Sequence, residues 1–201
     1  VTTNFTLQVT NKGGHSSVPR DDNAITQLAD ALAKVGRYRF PVHLSDITRE
    51  FFTKSASEEE PALGRAMRAI VANPRDPAAL RVLSADPRYN SMLRTSCVAT
   101  ELKGGHATNA LPQLAEANVN CRIYPTETAE QVRDSLRRVI GDTGVKVLIR
   151  SQRPPSPPTK LLDEVMDPIR RITKEMWGDI PVIPTMSTGA TDMAYLRAKG
   201  K

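Results

Sequence analysis

Three features of this 201-residue sequence predict an α+β fold. Short stretches alternate apolar and polar residues with the period of a strand, as Phe5, Leu7 and Val9 do against Thr6, Gln8 and Thr10. Longer stretches carry apolar residues at helical spacing, as in Ile25, Leu28, Ala29, Leu32 and Val35. The two kinds follow one another as strand, helix, strand, strand, helix, strand, interrupted once by a segment of different composition.

The first strand is broken by Gly13-Gly14. The first helix runs from Asp22 to Val35, with Asp21 or Asp22 as its cap and Gly36 as its stop. From Phe40 to Tyr89 the sequence turns proline-rich (Pro41, Pro61, Pro74, Pro77, Pro87) and carries the acidic run Glu58-Glu59-Glu60. Short helices suit it, for instance over Ala62 to Val71 and Pro77 to Leu83, and we read residues 40–90 as a helical insertion between two strands. Met92 to Lys103 is the next strand. Ala115 to Tyr124 alternates: Ala115, Ala117, Val119, Cys121 and Ile123 face one way, Glu116, Asn118, Asn120, Arg122 and Tyr124 the other. The two form an antiparallel pair joined by Gly104 to Gln113. Thr126 caps the second helix, with Glu127 in its first turn and Val132, Leu136, Val139 and Ile140 as its apolar line. After the turn Gly141 to Gly144, Val145 to Ile149 is the last strand.

A β-α-β-β-α-β order is that of the ferredoxin-like split βαβ arrangement, a four-stranded antiparallel sheet with both helices on one face. It accounts for residues 1–152. Pro154-Pro155-Ser156-Pro157-Pro158 is a stiff extended linker. Beyond it come an amphipathic helix (Leu161, Leu162, Val165, Met166, Ile169, Ile172, Met176), a short buried-type strand at Pro181 to Pro184, and a loop, Met186 to Asp192, leading into a helix from Met193. These elements cannot close a core alone. Residues 153–201 are therefore expected to be part of a second domain whose remainder lies outside this chain.

Composition excludes several classes. Hydrophobic residues at 39% and charged residues at 25% make a globular mix rather than a disordered one. No run of eighteen apolar residues encodes a membrane helix. The net charge of +6 comes from basic residues that are scattered, and the nine aromatic residues do not alternate with them as stacking platforms. Arg133, Arg137 and Arg138 read as a solvated helix face, so neither nucleic acid nor a membrane is an expected partner. Two cysteines, Cys97 and Cys121, are too few for a disulfide scaffold or a four-thiolate zinc site. They fall on neighbouring strands and, with the turn centred near Asn109, stand roughly opposite one another; a cross-strand disulfide is open to them, and we expect two buried thiols. His15, His43 and His106 form no metal-binding spacing.

Four stretches carry residues suited to chemistry. Gly13-Gly14-His15-Ser16-Ser17-Val18-Pro19 sets His15 at the tip of a sharp turn, where a ring N–H can donate to a developing oxyanion. Asn109-Ala110-Leu111-Pro112 puts Asn109 in the turn between two strands, with His106 a solvent-exposed neighbour. Arg122 offers a planar fork for a carboxylate from the polar face of its strand. Ser187-Thr188-Gly189-Ala190-Thr191-Asp192 presents small residues before a helix, suited to an anionic group but lacking a Walker lysine. Taken singly, each is also an ordinary turn, exposed arginine or helix start. His43-Leu44-Ser45-Asp46 has one residue too many for a His-x-Asp metal pair, and Glu58-Glu59-Glu60 reads as a solvated helix start.

Taken in order, these stretches resemble the zinc-dependent metallopeptidase family of carboxypeptidase G, carboxypeptidase S, aminoacylase and succinyl-diaminopimelate desuccinylase. The resemblance rests on Gly13 to Pro19 with Asn23-Ala24-Ile25 behind, on Asn109 to Pro112 followed by Cys121-Arg122-Ile123-Tyr124-Pro125, and on Ser187 to Met193. The insertion is similar to that of the carboxypeptidase S-like members. The resemblance implies a lid and dimerisation domain over 1–152 and a return into a catalytic domain over 153–201. It implies a parent enzyme with two zinc ions, working as a homodimer, that cleaves the amide bonds of peptides or N-acyl amino acids. The family's zinc ligands and its general-base Glu have no match here, so metal ligands are expected outside this chain and the chain alone is expected to be inactive. By the same resemblance His15 stabilises the tetrahedral oxyanion in the partner's active site and Asn109 contacts substrate across that interface. Arg122 then binds the substrate carboxylate, and Thr188, Gly189 and Ala190 line the substrate pocket. The competing reading is a free-standing ferredoxin-like module that binds a small ligand or a partner protein.

Overall fold

The computed structural model describes residues 1–151, 159–189 and 192–199. In chain order the elements are β1 (Thr2–Thr10), β2 (Gly14–His15), α1 (Ala24–Arg37), α2 (Asp46–Ser55), α3 (Pro61–Ala72), α4 (Pro77–Ala85) and α5 (Pro87–Leu93). There follow β3 (Ser96–Gly104), β4 (Ala110–Leu111), β5 (Leu114–Arg122), α6 (Ala129–Ile140), β6 (Val145–Ser151), α7 (Asp163–Trp177) and α8 (Met193–Ala198). They form two compact units, Val1–Phe40 with Thr95–Ser156, and Pro41–Arg94 with Pro157–Lys201.

The first unit is the predicted α+β fold. Its sheet runs β3-β5-β1-β6, every neighbouring pair antiparallel. Phe5, Leu7 and Val9 of β1 and Ala115, Ala117, Val119 and Cys121 of β5 fall on one face by strand alternation. That face is covered by Ala24, Leu28, Ala31 and Val35 of α1 and Ala129, Val132, Leu136 and Ile140 of α6. Each large side chain fully buried there contributes roughly 1.5–3 kcal/mol. The other face carries a polar ladder: Asn120 Nδ2 donates to Asn4 Oδ1 at 2.8 Å, Asn118 Nδ2 to Thr100 Oγ1 at 2.7 Å, and Gln8 Nε2 to Glu116 Oε1 at 2.7 Å. These pairs satisfy one another without needing an apolar layer above them.

The caps differ from those predicted. Asn23 caps α1 through Ile25 and Thr26, because Asp22 is engaged by Arg20; Gly36 stays inside the helix, which ends at Arg37. Thr128, not Thr126, caps α6 in a capping box with Gln131, and Gly141 closes it with φ +63°. Glu127 lies before this helix and accepts the Thr95 hydroxyl. Tyr124 is buried rather than on the polar face, since β5 ends at Arg122 and the alternation ends with it.

Cys97 and Cys121 are joined by a disulfide, which corrects the expectation of two thiols. The register sets them opposite one another on β3 and β5, with Cα atoms 4.1 Å apart. A turn centred near Asn109 suggested this opposition, but spacing could not establish it, because a slip of one residue would have turned the two side chains to opposite faces.

The second unit contains the helical insertion, which holds four short helices, α3 and α4 falling on the two segments singled out from sequence. α2 has a Ser45 capping box with Thr48, and α5 takes Pro87 to Leu93, so that β3 starts at Ser96 rather than Met92. Phe52, Met67, Ile70, Leu83, Tyr89 and Leu93 form a core of their own. Gly64 lets α3 approach the end of α2, where a Cβ would lie 2.3 Å from the Ala56 carbonyl oxygen. Past residue 158, α7 forms as predicted with its apolar residues exposed, Ile169, Ile172 and Met176 among them. Pro181 to Pro184 is not a strand; among the described residues no strand runs alongside to pair with it. The proline linker at 154–158 lies outside the described residues.

Candidate functional site

The site begins with the two glycines at the end of β1. Gly13 has φ +75°, and a Cβ there would come within 2.7 Å of Gln113 Cγ. Gly14 has φ +151°, with Leu111 3.3 Å from where its Cβ would be. Only glycine meets both demands, the left-handed backbone and the close approach of the neighbouring turn. The chain can then double back as β2, which pairs with β4, His15 opposite Ala110 and Gly14 opposite Leu111. This two-residue ladder unites two of the motifs, and no periodicity in the sequence announces so short a pairing.

His15 and Asn109 are brought together: Asn109 Nδ2 is 3.3 Å from His15 Nε2, and the Ser16 N–H donates to the Asn109 carbonyl at 2.9 Å. On its other side the ring is held by Ser17. Ser17 Oγ is 2.7 Å from His15 Nδ1, and the Ser17 N–H donates to the same nitrogen at 3.2 Å. The imidazole is exposed and anchored on both nitrogens.

A polar clamp secures the loop on which the ring stands. Arg20 donates to both carboxylate oxygens of Asp22, each at 2.7 Å. Asn11 Nδ2 donates to the Asp22 carbonyl at 2.9 Å, and Asn11 Oδ1 accepts the Gly13 N–H at 3.0 Å. The hydrogen bonds from Arg20, with its charge, hold the Asp22 carboxyl down at about 2. The clamp is intact above the ordinary carboxylate range and opens only as pH falls toward 2. Arg20, Asp22, Asn11 and Ser17 were missed from sequence; the signal present was a serine two residues after His15 in a glycine turn.

Arg122 is not brought to this group. It lies at the far end of β5, opposite Thr2, whose Oγ1 accepts its Nη1 at 2.8 Å. The His15 turn adjoins the other end, where Thr10 pairs with Leu114 and the Asn11 N–H donates to the Gln113 carbonyl. From Leu114 to Arg122 the extended strand spans about 26 Å. One substrate of amino-acid size cannot touch both ends in a single copy of this chain.

Thr188 and Gly189 belong to the second unit, and Ala190 lies outside the described residues. The Gly189 N–H donates to Ser187 Oγ at 3.3 Å. Thr188 borders an open cleft of about 790 Å³ whose apolar walls are Phe51, Tyr89, Met92, Ile183 and Met186. Tyr89 lies at its inner wall, and its hydroxyl donates to Glu59 at 2.8 Å. No three of His, Cys, Asp or Glu among the described residues gather to hold a metal ion. Both cysteines are consumed in the disulfide, so neither offers a thiolate.

Comparison with known proteins places this geometry in a family. The family model of the peptidase dimerisation domain matches residues 2–147, and the chain belongs to the M20 metallopeptidases, whose dimerisation domain it carries. Among curated relatives, the human N-fatty-acyl-amino acid synthase/hydrolase PM20D1 is 26% identical over 96% of this chain and 39% of its own length. The probable carboxypeptidase S-like 2 of Dictyostelium discoideum is 30% identical over 94% of this chain and 36% of its own. The chain thus spans under two-fifths of the curated relatives it matches. The fold is shared with the M20 metallo-carboxypeptidase Sso-CP2 of Sulfolobus solfataricus, at a TM-score of 0.59, 17% identity and coverage of 99% of this chain and 55% of that one. Human carnosine dipeptidase 1 has a TM-score of 0.54 at 14% identity, covering 97% of this chain and 45% of its own.

Proposed function

We propose that this chain is the lid of a two-zinc amidohydrolase together with a first part of its returning catalytic domain, divided near residue 152. The parent enzyme hydrolyses peptides or N-acyl amino acids that bear a free carboxylate, as the names of the relatives suggest. The zinc ions and the general base are supplied by residues outside this chain, and the chain alone is inactive. Its own residues do the rest. His15 donates an N–H to the oxyanion of the tetrahedral intermediate, and Asn109 contacts the same part of the substrate. Arg122 grips the substrate carboxylate with its planar fork. Thr188, Gly189 and Ala190 line the pocket.

The observation that carries this reading is the separation of His15 and Asn109 from Arg122 by the length of β5. A substrate that uses all three must take Arg122 from one subunit and the His15–Asn109 pair from another. The unpaired edge of β3 supports a dimer of lids: Val98 is 60% exposed and Leu102 67%, whereas the outer strand β6 carries Lys146 and Arg150.

The test is complementation in the full-length enzyme. His15→Ala and Arg122→Ala homodimers should each lose on the order of a hundredfold or more in turnover, the loss expected for one oxyanion donor. A mixed dimer of the two variants regains one intact site and should recover up to about half of the wild-type activity per dimer. No recovery in a dimer shown to be mixed would overturn the shared site, and near-wild-type turnover of His15→Ala would remove His15 from the mechanism.

A further inference from the structure

We propose that Ser17 is a positioning residue that locks His15 as the Nε2–H tautomer, so that its one ring proton lies on the Asn109 side of the ring, away from Ser17. The role given to that proton rests on the oxyanion reading above; the tautomer itself does not.

Three contacts surround the ring, and with Asn109 donating through its NH₂ they conflict. The Ser17 N–H meets Nδ1 at 3.2 Å, Ser17 Oγ meets Nδ1 at 2.7 Å, and Asn109 Nδ2 meets Nε2 at 3.3 Å. A neutral imidazole has one N–H and one bare nitrogen. If Asn109 donates to Nε2, the proton must sit on Nδ1, where it faces the backbone N–H of Ser17, donor against donor. Two of the three contacts are reversible. A hydroxyl can turn to donate instead of accept, and the two ends of an Asn amide are told apart only by their hydrogen bonds. The backbone N–H can do nothing but donate. One assignment satisfies all three contacts. The single lone pair of Nδ1 is shared in a three-centre bond between the N–H and the hydroxyl of Ser17, Nε2 carries the proton, and Asn109 turns its carbonyl oxygen to that proton and its NH₂ away from the ring.

The consequence for catalysis is a donor held ready. In the resting site Nε2–H rests on the Asn109 Oδ1, and an oxyanion arriving from the substrate takes that hydrogen bond over. The Asn109 NH₂, turned outward, is free to act as a second donor. The opposite tautomer would present a bare nitrogen to the oxyanion and repel it. A serine two places after the histidine adds a hydroxyl that reinforces the backbone N–H at Nδ1.

The tautomer can be read directly. The chain has three histidines, so a long-range proton–nitrogen correlation spectrum of the ¹⁵N-labelled chain resolves them, with His15→Gln to assign the ring. At about pH 8, where free imidazole is neutral, His15 should show a bare Nδ1 and a protonated Nε2. Ser17→Ala keeps the backbone N–H, which still biases the ring, but loses the hydroxyl, and should move the spectrum part of the way toward the averaged pattern of a free imidazole. Ser17→Thr should restore it. In the full-length enzyme Ser17→Ala should lower kcat about 3- to 10-fold, the factor carried by one ordinary hydrogen bond, with KM little changed and recovery in Ser17→Thr. A protonated Nδ1, or an averaged pattern in the unaltered chain, overturns the assignment. An Nε2–H tautomer with unchanged kcat in Ser17→Ala overturns the positioning role. Full activity of His15→Ala would instead refute the oxyanion reading and leave the spectrum standing.

Discussion

Single residues in this chain owe their properties to neighbours far away in sequence. Tyr89 is 3% exposed, and burial followed by its hydrogen bond to Glu59 pushes its phenol up to about 12. The neutral phenol is the form that folding favours. The stability it contributes is therefore whole below the ordinary tyrosine value of about 10 and is lost as pH rises toward 12. In a spectrophotometric titration of the four tyrosines Tyr89 should ionise at about 12, and Tyr89→Phe should delete that late step. A late step that survives the substitution would assign it to another tyrosine. Asp22 is perturbed in the opposite direction, yet exposed, and its pair with Arg20 serves geometry more than stability. For His15, Asn109 and Arg122 the sequence showed the kind of element each stands on, a turn for the first two and a strand for the third. That Ser17 and Asn109 grip the two sides of one ring was not legible there, because the β2–β4 pairing that joins them spans more than ninety residues of sequence.

At the scale of elements, hydrophobic period was a sound guide wherever an element packs on one side. β1, β5, α1 and α6 formed as predicted because each buries one face against the same core. It was a poorer guide in the insertion, where α2 and α5 are short and are held by caps and by a local core. Here Gly64 is critical. Alanine favours a helix over glycine by about 1 kcal/mol, but its Cβ at position 64 would meet a backbone oxygen at 2.3 Å. Gly64→Ala should therefore destabilise the chain by roughly 1–3 kcal/mol, seen as a lower unfolding midpoint. A rise in the midpoint would show that α2 and α3 separate freely. The edge of β3 makes a second prediction at this scale. Leu102→Lys should leave the fold intact and shift the full-length enzyme toward monomer in sedimentation equilibrium, with loss of activity alongside. An unchanged dimer would move the interface away from β3.

For the molecule as a whole, the disulfide ties the edge strand to the centre of the sheet across 24 residues of sequence. In the chain-entropy account a loop of that length contributes roughly 3 kcal/mol. Replacing both cysteines by alanine, or adding reductant, should lower stability by about that amount in a denaturant titration. Equal stability with and without reductant would show that the two sulfurs are not bonded. By itself the sequence determined the α+β class, the order of the four main strands and two helices of the first unit, the helical nature of the insertion and the family. Each of these follows from the period of apolar residues or from short motifs, and neighbours in the chain suffice to write them. The tertiary structure decided what depends on partners distant in sequence. It set the register that pairs Cys97 with Cys121, and the ladder that carries His15 to Asn109. It also decided the distance along β5 that keeps Arg122 from them both. Alternation fixes which face a side chain takes, but only the pairing of strands fixes which residue it meets there.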